Sequence, residues 1–173
     1  MSYFDNNATT PLHPSAREAL LNASTENWAN PSSPYRISAK VRASMQKCRE
    51  SIASGLQTDP DHLIFTSGST EANNSVFSHL SQNGDQSSRI LLSPFEHPSV
   101  SEAAHYWFSG RVDFLNAQPD GTINTGELEA YLNKGPFPVL VSIMAASNES
   151  GVIQPGGGAA RRRCPYRRRE EFP

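Results

Sequence analysis

Apolar residues along this chain recur in two rhythms, one at helical spacing and one as short unbroken runs. Helical spacing is clearest from Val41 through Met45, Cys48 and Ile52 to Leu56, which predicts one amphipathic helix. Cys48 lies on that stripe and reads as core filler, while Lys40 and Lys47 beside it read as solvated charges. An earlier helix is predicted through Ala19, Leu20 and Leu21, with Pro14 at its first position. Asn30-Pro31-Ser32-Ser33-Pro34, between the two, is a loop by composition. Three later helices are predicted: one through Val76, Phe77 and Leu80 ending at Asn83-Gly84, one over Val100 to Phe108, and a short one through Leu128, Tyr131 and Leu132. Asn124 and Glu127 have the spacing of a cap pair for the last.

The unbroken runs are Leu63 to Thr66, Arg89 to Ser93, Arg111 to Leu115 and Pro138 to Met144. Such runs read as strands buried on both faces, and their alternation with helices argues for βαβ units. The predicted class is α/β, a mainly parallel sheet with flanking helices. Functional loops of such sheets lie beyond the carboxyl ends of the strands. That places the corner at Gly68, the loop at His97 and the loop at Asn148-Glu149 on one rim.

The corner carries the most chemistry. An apolar run breaks at Ser67-Gly68 and restarts as a helix at Ser69, so free backbone N–H groups and a positive helix end face one spot. A phosphate there would also meet the hydroxyls of Ser69 and Thr70. Taken alone, the same residues fit ordinary N-capping better, since Ser and Thr are preferred caps on any helix. His97 alone would be an exposed loop histidine, and Asn148 a turn residue.

Length and charge narrow the picture. The 173 residues suit a single domain with a real core, and the net charge of −2 carries no signature for nucleic acid or membrane. No apolar run approaches a membrane span, and Met1 to Asp5 lacks the features of a signal peptide. Two cysteines, Cys48 and Cys164, make no disulfide framework, so a reducing, cytoplasmic setting is expected.

Five stretches then appear in order: Phe4 to Pro11, Asn30 to Ser33, Phe65 to Asn74, Glu96-His97, and Asn148-Glu149-Ser150-Gly151-Val152-Ile153-Gln154-Pro155. Together they closely resemble the cysteine desulfurases of the class V aminotransferase group, which are fold-type I pyridoxal-phosphate enzymes. The resemblance spans residues 3 to 155 and implies the N-terminal part of the large domain. It implies that Ser69 and Thr70 hold the phosphate of pyridoxal 5′-phosphate. His97 would stack on the pyridine ring and move protons, tasks suited to a flat ring that titrates near neutrality. Asn148 would hydrogen-bond the ring oxygen of the cofactor or the substrate carboxylate, and Asn6, Ala8 and Thr9 would lie near the entrance. The implied reaction takes sulfur from L-cysteine, leaving alanine and an enzyme-bound persulfide, with a sulfur-acceptor protein and a homodimeric full-length enzyme. No metal is implied.

The pattern departs from the family in four places. Ser147 stands where a second Asn is usual. Past Pro155 the aspartate strand, the lysine loop and the second domain of the family do not follow. Instead residues 156–173 are rich in Gly, Ala, Arg and Pro, and residues 161–173 hold six of the twelve arginines. That leaves residues 1–160 at net −6 and the tail at +4. The expectation is a frameshift or truncation, with residues 1–155 as the family portion and 156–173 as a foreign tail. A genuine basic tail for nucleic acid is the disfavoured rival, since no folded module surrounds Tyr166. Cys164 is not in the position or context of the persulfide cysteine. Finally, only Lys40, Lys47 and Lys134 exist, and none lies in the Ser-X-His context of the lysine that bonds the cofactor. The chain alone is therefore expected to be inactive. The alternatives are another class V enzyme such as a selenocysteine lyase, or a non-catalytic remnant that pairs with a full-length relative.

Overall fold

The computed structural model describes residues 2, 3, 6, 9–147 and 149–155. The arginine-rich tail, Cys164, Tyr166, Ala8 and Asn148 lie outside these described residues. The chain divides at Phe65 into two compact units.

The first unit is built on two helices. α1 spans Pro14–Glu26, with Pro14 in the first turn as the sequence predicts and the N–H of Asn27 closing it on Ala23 O. α2 spans Arg36–Leu56 and ends at Gln57 in the left-handed conformation, φ 53° and ψ 44°. A 3-10 turn, Pro60–His62, follows under a cap from the Asp59 side chain to Asp61 N. Of the predicted stripe on α2 only Val41 is covered. Ser38, Val41 and Ala53 are buried, while Met45, Ile52 and Leu56 are exposed. Cys48 is exposed as well, so it is not core filler.

The physical reason lies with two arginines. Arg42 donates to the carbonyls of Pro31 and Ser33, and Arg49 to those of Pro60 and Leu63. The Arg49 guanidinium also sits 4.9 Å from the ring centroid of Phe65. These contacts hold the flanking loops against a face turned roughly a sixth of a revolution from the apolar stripe, at 3.6 residues per turn. The run Leu63 to Thr66 is likewise no strand, and Ile64 is 87 % exposed. A β-propensity run becomes a strand only by pairing, and no described residue pairs with it.

The second unit is the α/β unit that the alternation of runs and helices predicts. Its strands are β1 (Ile90–Leu92), β2 (Val112–Phe114) and β3 (Leu140–Ser142), all parallel, in the order β2-β1-β3. Leu91 faces Asp113 on one side and Val141 on the other. Each strand is shorter than its apolar run because only three residues per strand meet partners in register. Central β1 is completely buried, as a strand covered on both faces must be.

Three helices cover the sheet: α3 (Ser69–Asn83), α4 (Pro98–Trp107) and α5 (Thr125–Lys134). Ile90 and Leu92 pack with Phe77 of α3 and with Ala103, Ala104 and Phe108 of and beyond α4. Leu91 points the other way, to Leu115, Ile123 and Leu128. Burying each large aliphatic or aromatic side chain contributes about 1.5–3 kcal/mol. α3 stops at Gly84, where a Cβ would lie 2.6 Å from the Leu80 carbonyl oxygen. α5 starts as the sequence predicts, with Asn124 accepting from the N–H of Glu127. The Glu127 carboxylate does not close the reciprocal bond. It takes the N–H and side-chain amide of Asn116 instead, each at 2.9 Å.

Candidate functional site

The site forms where β1 hands over to α4 and the corner at Gly68 opens α3. Gly68 is the N-cap of α3 and brings no side-chain bond of its own. The Glu71 carboxylate reaches back past the helix start and accepts from the Ser67 N–H at 2.7 Å and the Ser67 hydroxyl at 2.6 Å. Those two bonds, the hydroxyl first, hold the Glu71 carboxyl below its ordinary range. Ser69 and Thr70 are exposed, and neither hydroxyl has a hydrogen bond among the described residues. No side chain caps α3, so the first-turn hydroxyls stay available beside unbonded backbone N–H groups.

His97 is the N-cap of α4, directly before Pro98. Its Nδ1 accepts from the Ser99 N–H at 3.0 Å and lies 2.9 Å from the Ser99 hydroxyl. The Ser99 hydroxyl in turn lies 2.9 Å from Nδ2 of Asn73 on α3. The residue before His97, Glu96, ties the rim together. Its half-buried carboxylate accepts from the hydroxyls of Ser93 at 2.7 Å and Ser142 at 2.9 Å, and from Met144 N at 2.6 Å. One side chain thus joins the segments leaving β1 and β3, the sheet end where ligands of such folds bind.

Between the first turns of α3 and α4 lies an open cavity of about 540 Å³, lined among others by Thr70, Asn74, His97, Glu102 and Tyr106. Thr70 and His97, placed together from sequence, share this cavity. Ser69 is next to Thr70 at the start of α3 but outside its lining. Asn148 lies outside the described residues, but the segment around it is held. Ala146 bridges Ile153, and buried Gln154 accepts from Ile123 N at 2.9 Å while donating to Gly121 O at 3.0 Å.

Several of these residues carried no role in the sequence reading. Asn73, Asn74 and Glu96 stood in the quoted motifs without a task. The signal for Asn74 was its place one helical turn after Thr70, whose carbonyl it bonds at 3.0 Å. Nothing local marked Ser142 or Met144 as partners of Glu96, because those pairings span 46 and 48 residues.

The donor set fits a phosphorylated flat ring. Free N–H groups and two hydroxyls at a helix start suit a phosphate, and an imidazole 27 positions on lines the same cavity. Within the second unit no lysine joins them. Lys40 and Lys47 flank a second cavity of about 510 Å³ whose lining all comes from α2. Lys134 ends α5, which leads into the amino end of β3, opposite the rim. No cluster of His, Cys, Asp and Glu able to hold a metal ion occurs among the described residues. No helix among them is long and apolar enough to cross a membrane.

The sequence and the fold both have known counterparts. The family model for aminotransferase class-V matches residues 2–161. The NifS/IcsS protein homolog of Lactobacillus delbrueckii subsp. bulgaricus is 36 % identical over 160 residues, covering 90 % of this chain and 40 % of that protein. A cysteine desulfurase of Frankia sp. is 34 % identical, covering 88 % of this chain and 39 % of its own length. A selenocysteine lyase of Bos taurus is 35 % identical, with 92 % and 41 % covered. Among solved structures, a NifS-like protein superposes with a TM-score of 0.80 at 33 % identity, over 88 % of this chain and 42 % of that one. SspA in complex with cysteine superposes with a TM-score of 0.78 at 26 % identity, over 90 % and 45 %. The chain therefore spans about two fifths of the length of the curated relatives it matches. By sequence and by fold, the chain belongs to the aminotransferase class-V family.

Proposed function

We propose that residues 1–155 form the phosphate- and ring-binding part of a cysteine-desulfurase-like, pyridoxal-phosphate-dependent enzyme. The observation that carries this reading is the shared cavity of Thr70 and His97 at the start of α3. In this reading Ser69 and Thr70 bind the phosphate through hydroxyls and first-turn N–H groups. His97 covers one face of the ring and helps move protons near the substrate. Asn148 bonds the ring oxygen or the substrate carboxylate. The cofactor, when bound, supplies an electron sink for the bonds at the substrate α-carbon.

L-cysteine is the proposed substrate, alanine and a protein-bound persulfide the products, and a sulfur-acceptor protein the onward partner. The relatives named as cysteine desulfurases support this. Selenocysteine is the second reading, because the selenocysteine lyase is as similar as the desulfurases. A homodimer and a cytoplasmic setting belong to the same proposal. Because no lysine of the chain lies in the Ser-X-His context and Lys134 sits away from the rim, we expect this chain to bind the cofactor without turning substrate over alone.

Incubation with pyridoxal phosphate and L-cysteine, then with L-selenocysteine, tests this. The proposal predicts cofactor binding but no alanine from the chain alone. Alanine production that disappears in His97→Ala would keep the desulfurase reading and overturn inactivity. Failure to bind cofactor at all would overturn the site assignment.

A further inference from the structure

The geometry around His97 settles which ring nitrogen carries its proton. The Ser99 backbone N–H reaches Nδ1 at 3.0 Å. An N–H can only donate, so Nδ1 must present its lone pair, and a neutral ring then bears its proton on Nε2. A second contact acts in the same sense. The Asn73 side-chain nitrogen lies 2.9 Å from the Ser99 hydroxyl oxygen. An amide –NH₂ also only donates, so that oxygen accepts, and the hydroxyl proton is left for Nδ1 at 2.9 Å. The hydrogens are thus assigned from donor and acceptor roles along a chain running Asn73, Ser99, His97.

We propose that Asn73, acting through the Ser99 hydroxyl, is a positioning residue that commits His97 to the tautomer protonated at Nε2. Asn73 is half-buried on α3, and His97 starts α4, so the chain of bonds also sets the ring relative to the phosphate-binding turn. Nδ1 can take a proton only by giving up both bonds from Ser99. The neutral ring therefore offers Nε2–H as a hydrogen-bond donor, and it accepts a proton only where the bonds from Ser99 break. The functional meaning rests on the reading of His97 as the cofactor-facing group, but the tautomer itself does not.

The test is long-range proton–nitrogen correlation NMR on the intact chain labelled with ring-¹⁵N histidine, at a pH where the rings are neutral. His97 is identified by the signals lost in His97→Gln. In the unsubstituted chain Nδ1 is expected in the unprotonated range and Nε2 in the protonated range. Asn73→Asp puts a carboxylate where the amide was, which draws the Ser99 proton away from Nδ1. The Nδ1-protonated population should then rise about threefold to tenfold, the worth of one ordinary hydrogen bond. Asn73→Ala and Ser99→Ala should move it the same way by less, and they carry the test if the aspartate variant loses its helical circular dichroism. His62, on the 3-10 turn, should not respond.

An unsubstituted chain protonated on Nδ1, or a His97 spectrum that none of the folded variants alters, overturns the proposal. The cofactor reading fails separately. If pyridoxine 5′-phosphate does not bind while the tautomer responds as described, the positioning role stands and the cofactor role does not.

Discussion

The Glu96 carboxylate accepts the backbone N–H of Met144 at 2.6 Å, across 48 residues of chain. It places the residue before His97 against the segment that leads from β3 toward Asn148. Two parallel strands that do not follow each other in sequence are joined at their carboxyl ends by one acidic side chain. Replacing Glu96 by Ala leaves the N–H of Met144 and two hydroxyls without their acceptor. The expected cost is about 2–3 kcal/mol, as for loss of a charged hydrogen-bond partner at a half-buried site. Glu96→Gln should recover part of it, because the amide oxygen still accepts. Urea unfolding reads both, and equal stability of Glu96→Ala and the parent chain would contradict the role.

Asp113 gives the fold a dependence on pH. It accepts from Arg89 at 2.6 and 2.5 Å and from the Tyr131 hydroxyl at 2.6 Å. The Arg89 bonds, foremost, hold its carboxyl below the ordinary range despite partial burial. A carboxyl lowered in the folded state stabilises it above its unfolded pKa, near 4 on the ordinary scale. That contribution is lost as pH falls through the lower folded value. Asp113→Asn should therefore flatten the acid limb of the stability curve. A limb as steep in the variant as in the parent would show that other carboxyls carry it.

Packing on the α3–α4 face predicts the largest single loss. Phe108 is fully buried against Ile90 and Leu92. Phe108→Ala should cost about 3–5 kcal/mol, through lost burial and the cavity left behind. Gly84→Ala should cost about 1–3 kcal/mol, because the obstacle to its Cβ is the Leu80 carbonyl rather than a side chain that can move. Thermal melts of both variants check the order, with Phe108 the worse.

What was legible in the sequence was local. Continuous runs around Leu91 and Val141 announced buried parallel strands, and Asn83-Gly84 and Asn124 marked helix ends by their own chemistry. The helix start at Ser69 and the loop at His97 were readable as places in the fold because their motifs are contiguous. Failures came where tertiary contacts decide. The stripe through Met45, Cys48 and Ile52 has the right period, yet Arg42 and Arg49 select a neighbouring face. Leu63 to Thr66 has strand composition but no described partner strand. The long-range roles of Glu96 and Gln154 could not be read from local spacing. Their partners are backbone groups and hydroxyls far along the chain, with no residue-type signature.

Arg49 supplies a prediction confined to the first unit. Its bonds to the carbonyls of Pro60 and Leu63 and its stacking on Phe65 hold the segment after α2. Arg49→Met keeps most of the stem but removes donors and charge. Cleavage between residues 58 and 66 under limited proteolysis should then become several-fold faster, for a loss of about 1–2 kcal/mol in local stability. Unchanged cleavage would mean that the apolar stem alone holds the segment.

The central claim is that the start of α3, together with His97, binds the phosphate and ring of the cofactor. Equilibrium dialysis with pyridoxine 5′-phosphate tests it most directly, since this analogue lacks the aldehyde that would react with surface lysines. The account predicts saturable binding that unphosphorylated pyridoxine does not displace. Joint replacement of Ser69 and Thr70 by Ala should weaken it about tenfold or more, in line with two lost hydrogen bonds to a charged group. Binding that pyridoxine displaces equally well, or that the double replacement leaves unchanged, would contradict the account.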